Sequence, residues 1–439
     1  MIRWFYSLKE LENRSTKFGI ILNPSGPVFG GAQKRFTNLF QHLYFRYPEN
    51  VFYFISRELH SQIHEIFPSF NFANIVVLND LEFNFFSSSG NNSTGIKFKE
   101  WIIRRDTGNK QLNSKNSILR QIFKYLKFFI KQYYLYRQIE KIRKKNNINV
   151  FLGVFNGILP LYFYLNKSKR NTGIIFSDMD SWFSNIYNGD MYSWNLKYDS
   201  FNYGLEKSDF VDFLSPYIAD GVLERKIRVN KKTISITPCS FSDYSKCIPG
   251  NKKEFIVSYA ARIFPDKNPM LYLEAAKIIV KKYPFVKFNL MGTGLPGLQS
   301  EILEFIEINE LRKNVIFNFH PNPPEVFSES TVFVSIQSTN NYPSQSVLEA
   351  MACGNAVIAS DVGDTRMFVN EDVGILIPLD LISVVNAIEL LINDREYALR
   401  LGKNAREFVI KNHTIERCAD YYLSLIEKAR IKIESEFSN

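Results

Sequence analysis

Arg262 and Lys267 stand five positions apart in a loop that follows an apolar run, and Glu349 stands as the sole carboxylate in a short apolar helix that opens near Ser344. Two cations at the carboxyl end of a parallel strand suit a bound anion, because open α/β sheets take ligands there. Ahead of Glu349, the segment containing Asn341, Tyr342, Ser344, Gln345 and Ser346 leads into the first helical turn. Unpaired N–H groups and the positive end of the helix dipole converge at such a point, which is an anion-binding geometry. Glu349, one turn further in, is placed to accept hydrogen bonds from hydroxyls of whatever is held at the helix tip. Two glycine turns add backbone room: Gly30 and Gly31 before a helix, and Gly292 and Gly294 within GTGLPG. A phosphorylated, hydroxyl-bearing ligand is the chemistry these types describe.

The elements that must hold them alternate. Short apolar runs read as strands at Phe18–Leu22, Val51–Ile55, Ile75–Leu78, Val150–Phe155, Gly173–Phe176 and Phe210–Leu214, with helical segments between them, which implies a parallel sheet. The polar, turn-rich stretch Pro238–Asn251 reads as a linker, and the β-α alternation restarts at Glu254. The second half holds buried strands at Thr331–Ile336 and Ala356–Ser360, with Gly354 stopping the helix between them. Two domains are the natural expectation for 439 residues.

The stretch around Glu349 resembles the signature of the retaining nucleotide-sugar glycosyltransferases with two Rossmann-like domains, family 4 of the GT-B fold. Leu348, Glu349, Ala350, Met351, Ala352, Gly354, Ala356 and Val357 match it, while Asn341 stands where the family has a first glutamate that contacts the sugar. Arg262 and Lys267 keep the spacing of the family's GR-x(4)-K pattern, with Ala261 and Asn268 replacing its flanking glycines. The turn at Gly30 and Gly31 resembles the family's GGA-E/Q, GTGLPG its G-x-G turn facing the donor nucleotide, and Ser360–Thr365 its glycine-containing loop near the donor.

The resemblance implies a GT-B architecture. Residues 1–245 would form the acceptor-side domain and 246–413 the donor-side domain, with the helix in 414–439 packing back on the first. It implies transfer of a sugar from a nucleotide-diphosphate sugar to a hydroxyl of a carbohydrate or lipid-linked acceptor, in cell-surface polysaccharide or lipopolysaccharide synthesis. No cofactor or essential metal is expected. Arg262, Lys267, Asn341 and Glu349 would be catalytic. Gly30, Gly31, Gly292, Gly294, Tyr342, Ser344, Gln345, Ser346, Leu348 and Thr365 would bind the donor, and Asp178 would line the acceptor side.

Other readings stay open. Asp178 and Asp180 form a D-x-D that holds a divalent metal in transferases of another fold. GTGLPG is formally a dinucleotide fingerprint, although no acid ends the next strand to hold a ribose: Val315–His320 closes on Asn and His. A non-catalytic binder of nucleotide sugars, with a site degenerate at Asn341, is the other alternative.

Charge is localised. The chain carries a formal +10, yet Lys97–Lys145 alone holds fifteen Lys or Arg against three acids. A helix over about 117–145 sets Leu119, Ile122, Phe123, Leu126, Phe129, Ile130 and Tyr133 on one face and Arg120, Lys124, Lys127, Lys131 and Lys141 on the other. It reads either as a domain helix burying its aromatic side or as a helix lying on anionic lipid. No nucleic-acid motif accompanies the charge. Cys239, Cys247, Cys353 and Cys418 lack CxxC spacing, and the N-terminus lacks a signal-peptide pattern, so a cytoplasmic protein is expected, in contact with the inner membrane face if the basic helix binds lipid.

Overall fold

The computed structural model describes residues 16–22, 31–80, 114–167, 170–178, 196–224, 227–229, 231–340, 342 and 344–437. Two all-parallel sheets organise them. The first contains β1 (Phe18–Leu22), β2 (Val51–Ser56), β3 (Ile75–Leu78), β4 (Val150–Val154), β5 (Gly173–Asp178), β6 (Phe210–Phe213) and β7 (Ile234–Ile236), in the order β3-β2-β1-β4-β5-β6-β7. The second contains β8 (Ile256–Ala260), β9 (Lys287–Met291), β10 (Val315–Asn318), β11 (Val332–Ser335), β12 (Ala356–Ser360) and β13 (Gly374–Ile377), in the order β10-β9-β8-β11-β12-β13. In both, the order reverses beside the first strand, which creates a switch point where the loops on either side of that strand diverge.

The central strands form because both faces are covered. FGIIL, VFLGV, VFVS and AVIAS are buried at every position, the continuous apolar pattern of parallel strands sandwiched by helices. Between β7 and β8 the chain runs without strand or helix.

The helix Ile415–Phe437 follows the second domain in sequence but packs on the first sheet. Its anchor is Asp212 on β6, fully buried, whose carboxylate accepts from Ser177 Oγ (2.7 Å), Tyr422 Oη (2.9 Å), Thr237 Oγ1 (3.1 Å) and the Tyr421 hydroxyl. Burial is the largest influence on that carboxyl and raises its pKa to about 6, against the hydrogen bonds, which favour the ionised form. Cys418 on the same helix lies with its Sγ 3.5 Å from that of Cys239; all four cysteines are buried free thiols.

The long helix Ser114–Asn146 buries Leu135, Tyr136 and Ile139 but leaves Leu126, Phe129, Ile130 and Tyr133 exposed. The reading in which the helix buries its aromatic side therefore holds at Leu135, Tyr136 and Ile139 and fails at Leu126, Phe129, Ile130 and Tyr133; the side chains of Leu119, Ile122 and Phe123 lie outside the described residues.

Candidate active site

The loops at the carboxyl ends of β8 and β11 are tied together. Lys267 lies on the β8 loop, its carbonyl held by the Tyr259 hydroxyl at 2.8 Å. Its ammonium contacts the Gln337 side-chain oxygen and lies 3.2 Å from Asp266. Gln337 is fixed in turn by reciprocal bonds with Ser360 Oγ on β12, at 2.9 and 2.8 Å. Asn268 adopts a left-handed backbone, φ 53°, which accounts for the glycine common at this place, and its amide donates to Ile336 O and Ser338 Oγ. Arg262 is exposed, with its guanidinium over the Phe264 ring at 5.3 Å.

Gly292 and Gly294 hold this loop in place. A Cβ on Gly292 would sit 1.9 Å from the Ala261 carbonyl oxygen, and one on Gly294 would sit 2.1 Å from that of Ile263. Backbone bonds Ala261 N to Met291 O and Ile263 N to Thr293 O run across the same contact. The two glycines thus let the backbone beside Arg262 lie against the GTG turn. Gly297, third in the formal fingerprint, has nothing within 4 Å of its would-be Cβ. A dinucleotide site needs that third glycine for close helix–strand packing, so the match to GxGxxG is one of letters alone. His320 is a turn residue whose Nδ1 accepts from the Asn322 N–H at 3.2 Å.

The helix Gln345–Ala352 is capped by Ser344, whose hydroxyl accepts from Val347 N, and it stops at Cys353 before left-handed Gly354. Ser346 is half-buried at its first turn. Leu348 is fully buried, so its side chain serves the core. Tyr342 is buried against the Phe368 ring, and Thr365 is buried with its hydroxyl on the Val362 carbonyl at 2.6 Å. These three can offer a ligand little beyond backbone.

The first domain closes the site. Gly31 begins the helix Gly31–Arg46, and a Cβ there would lie 3.3 Å from Gln345 Cγ. Two helix N-termini, one from each domain, therefore meet, and their dipoles add to a positive field. Lys34, one turn in, ion-pairs with the buried Glu349, which also accepts from Ser242 Oγ at 2.5 Å. Arg35 Nη2 donates to Ser240 Oγ at 2.8 Å, and Gln345 Nε2 donates to Phe241 O at 2.6 Å. Asn340 accepts from the Tyr342 and Asp364 amides and reaches Ser215 of the first domain at 3.4 Å. Asp364 accepts from the amide of Tyr217 at 2.7 Å, at the start of the helix Pro216–Glu224. Gly363 is left-handed beside Asn340, where any Cβ would clash with that side chain.

Asp178 ends β5, fully buried. Gly30, Asn341 and Asp180 lie outside the described residues. Lys34, Arg35, Ser242, Gln337 and Asn340 were not singled out in sequence. Lys34 and Arg35 carry the only available signal, directly following the glycine turn.

The fold is that of two-domain GT-B proteins. It superposes on sucrose-phosphate synthase from Thermosynechococcus elongatus with a TM-score of 0.65 at 17% identity, over 94% of this chain and 98% of that one. It superposes likewise on Anabaena Alr3699/HepE in complex with UDP and glucose, TM-score 0.64 at 13% identity, over 97% and 100%. Residues 242–408, within the second domain, match the family model described as glycosyl transferases group 1. The chain is 30% identical over 177 residues to a poly(ribitol-phosphate) alpha-N-acetylglucosaminyltransferase of Staphylococcus aureus, covering 39% of this chain and 35% of the relative. It is 26% identical over 193 residues to an Escherichia coli UDP-Gal:alpha-D-GlcNAc-diphosphoundecaprenol alpha-1,3-galactosyltransferase, covering 42% and 49%. The chain therefore spans about a third to a half of the length of these curated relatives.

Proposed function

We propose that the chain is a retaining glycosyltransferase of family 4, moving a sugar from a nucleotide-diphosphate sugar to a hydroxyl acceptor without an essential metal. The observation that carries this reading is the meeting of two helix N-termini and Lys34 at one buried carboxylate, Glu349, with a second cation, Lys267, held on Gln337 in the loop after β11. Lys267, Arg262 and the amides near Ser344–Ser346 would stabilise the diphosphate as the bond from the anomeric carbon to its phosphate oxygen breaks and negative charge grows on that oxygen. The acceptor oxygen forms the new bond, and its proton passes to the departing phosphate. Glu349 would hold the ribose hydroxyls. Ribose arriving there displaces the Lys34 ammonium, which is then free to face the phosphates; donor binding and reorganisation of the domain contact become one event.

The relatives named above act on a polyol-phosphate polymer and on a diphosphoundecaprenol-linked sugar, which supports a cell-surface polysaccharide or lipid-linked acceptor. Among the described residues no helix is long and apolar enough to cross a membrane. The exposed Leu126, Phe129, Ile130 and Tyr133 beside Lys127 and Lys131 support contact with an anionic membrane face. A thermal-shift panel tests the donor assignment: a nucleoside diphosphate or its sugar raises Tm, and NAD(P) does not. A shift with NAD(P) alone would overturn it.

A further inference from the structure

On the first domain, the helix Ser114–Asn146 and the short helix Tyr162–Leu165 border a groove of about 520 Å³. Its lining includes three aromatic rings in contact: that of Phe163 lies 5.2 Å from Tyr133 and 5.3 Å from Tyr136. Arg137, Lys141, Lys144 and Lys167 line it as well, all exposed. The rings of Tyr164 and Tyr136 hold the Lys167 ammonium in place, at 5.1 and 5.5 Å. One acid shares the groove, Glu140, and its carboxylate is already engaged, accepting from Arg143 at 2.7 and 3.1 Å and from Tyr164 Oη at 2.6 Å. Burial raises the pKa of that carboxyl, but these bonds outweigh it and hold the value at about 2. Of the four cations, only Lys144 is ion-paired among the described residues, with Glu140 at 3.6 Å. The other three line the groove with charge that no carboxylate cancels.

The cationic wall continues an apolar one. Leu126, Ile130, Tyr133, Arg137, Lys141 and Lys144 follow one another at spacings of three or four, hence along one face of the helix. Leu126 and Ile130 are 52% and 48% exposed, and from Arg137 onward every residue in the row is a cation. Phe129 packs on Phe163 at 5.0 Å, so the apolar stretch and the groove share a ring. From Ile130 to Lys141 the helical rise gives about 16 Å. An amphipathic helix lying flat on a membrane divides polar from apolar around its axis; this face divides along it. A phosphodiester headgroup with its acyl chains matches that division. A free anion leaves the apolar half uncovered, and a polynucleotide, with phosphates along its whole length, meets cations over only part of the face.

We infer that this groove is a headgroup site for an anionic phospholipid, with the phosphate among Arg137, Lys141 and Lys167 and the chains along Leu126 and Ile130. The inference rests on the membrane contact proposed above and adds to it a site and a lipid class. Two double variants of the full chain remove equal charge: Lys141→Gln with Lys167→Gln in the groove, and Lys127→Gln with Lys131→Gln beside the row. On phosphatidylglycerol vesicles the groove pair loses about tenfold more affinity than the side pair, because charge-assisted contacts to a seated phosphate are lost besides the general attraction. Both variants keep a cooperative unfolding transition. In NMR titrations, dihexanoylphosphatidylglycerol below its micelle concentration binds the wild type more tightly than inorganic phosphate does. Equal losses by the two pairs overturn the groove site and leave the membrane contact standing, whereas a wild type that does not sediment with the vesicles removes both. Inorganic phosphate binding as tightly as the lipid also overturns the inference.

Discussion

At Glu349 a carboxylate 3% exposed meets one ammonium and one hydroxyl, both from outside its own helix. Such a pair holds its geometry only while both partners are present, since removal of one leaves a buried charge uncompensated. Lys34→Met therefore lowers stability by about 1–3 kcal/mol in denaturant unfolding. Glu349→Gln in the same background recovers part of that loss; a double-mutant cycle with zero coupling would show that the pair carries no energy.

Two buried groups set opposing pH dependences. His413 donates from Nδ1 to Ser240 O at 3.0 Å, and burial, its largest influence, lowers its pKa to about 4 from 6.5. The folded state binds fewer protons there between pH 6.5 and 4, so its contribution to stability is lost as pH falls through that window. Asp212 has a folded pKa near 6 against 3.8 unfolded. It binds more protons when folded, so its contribution declines as pH rises from about 3.8 to 6. The slopes oppose each other. Asp212→Asn removes one, and the variant loses stability on acidification from pH 6.5 to 4 more steeply than the wild type, by up to about 1.4 kcal/mol per pH unit. Parallel stability–pH curves would contradict the assignment.

Among the elements, the GTG turn and the loop before Lys267 act as one unit. Gly292→Ala would drive a Cβ into the Ala261 carbonyl, and a loss of at least about 2 kcal/mol follows, with nucleotide affinity falling in step. Gly297→Ala lies in open space near the start of the helix Pro296–Ile308 and is neutral or slightly stabilising, by up to about 1 kcal/mol. Equal destabilisation by both would restore a role for the third glycine. The strands were legible because parallel, doubly covered strands are written as unbroken apolar runs: Phe18–Leu22, Ile75–Leu78 and Ala356–Ser360 match the observed elements end to end. The run from Val150 ends at Val154 because Phe155 turns left-handed, φ 46°, which no local pattern marks. The three-residue strand Ile234–Ile236 and the edge strand Gly374–Ile377 are too short to show periodicity.

On the scale of the whole molecule, half of the site was beyond reach of the sequence. Arg262, Lys267 and Glu349 were singled out on one domain through the resemblance of their motifs to the family's. The pairing of Lys34 with Glu349 spans 315 positions and depends on how two domains close, a relation no periodicity encodes. The same holds for Asn340 and Ser215, and for Asp364 at the start of the helix Pro216–Glu224. The exposed apolar stripe of the helix Ser114–Asn146 belongs to this scale as well. Liposomes containing anionic lipid co-sediment the wild-type chain, and Lys124→Gln, Lys127→Gln and Lys131→Gln together weaken binding by roughly 3 kcal/mol at most, about 1 per charge near the surface. Equal sedimentation of both forms would remove the membrane contact.

The most direct measurement is release of nucleoside diphosphate from a panel of nucleotide sugars, with and without hydroxyl acceptors, by the wild type, Lys267→Ala and Glu349→Gln. A glycosyltransferase built as described releases it from at least one donor. Lys267→Ala lowers the rate by about 10²–10³-fold, the loss typical of one electrostatic donor, and Glu349→Gln raises the KM for the donor while both variants keep a cooperative unfolding transition. Turnover unchanged in both folded variants would contradict the assignment.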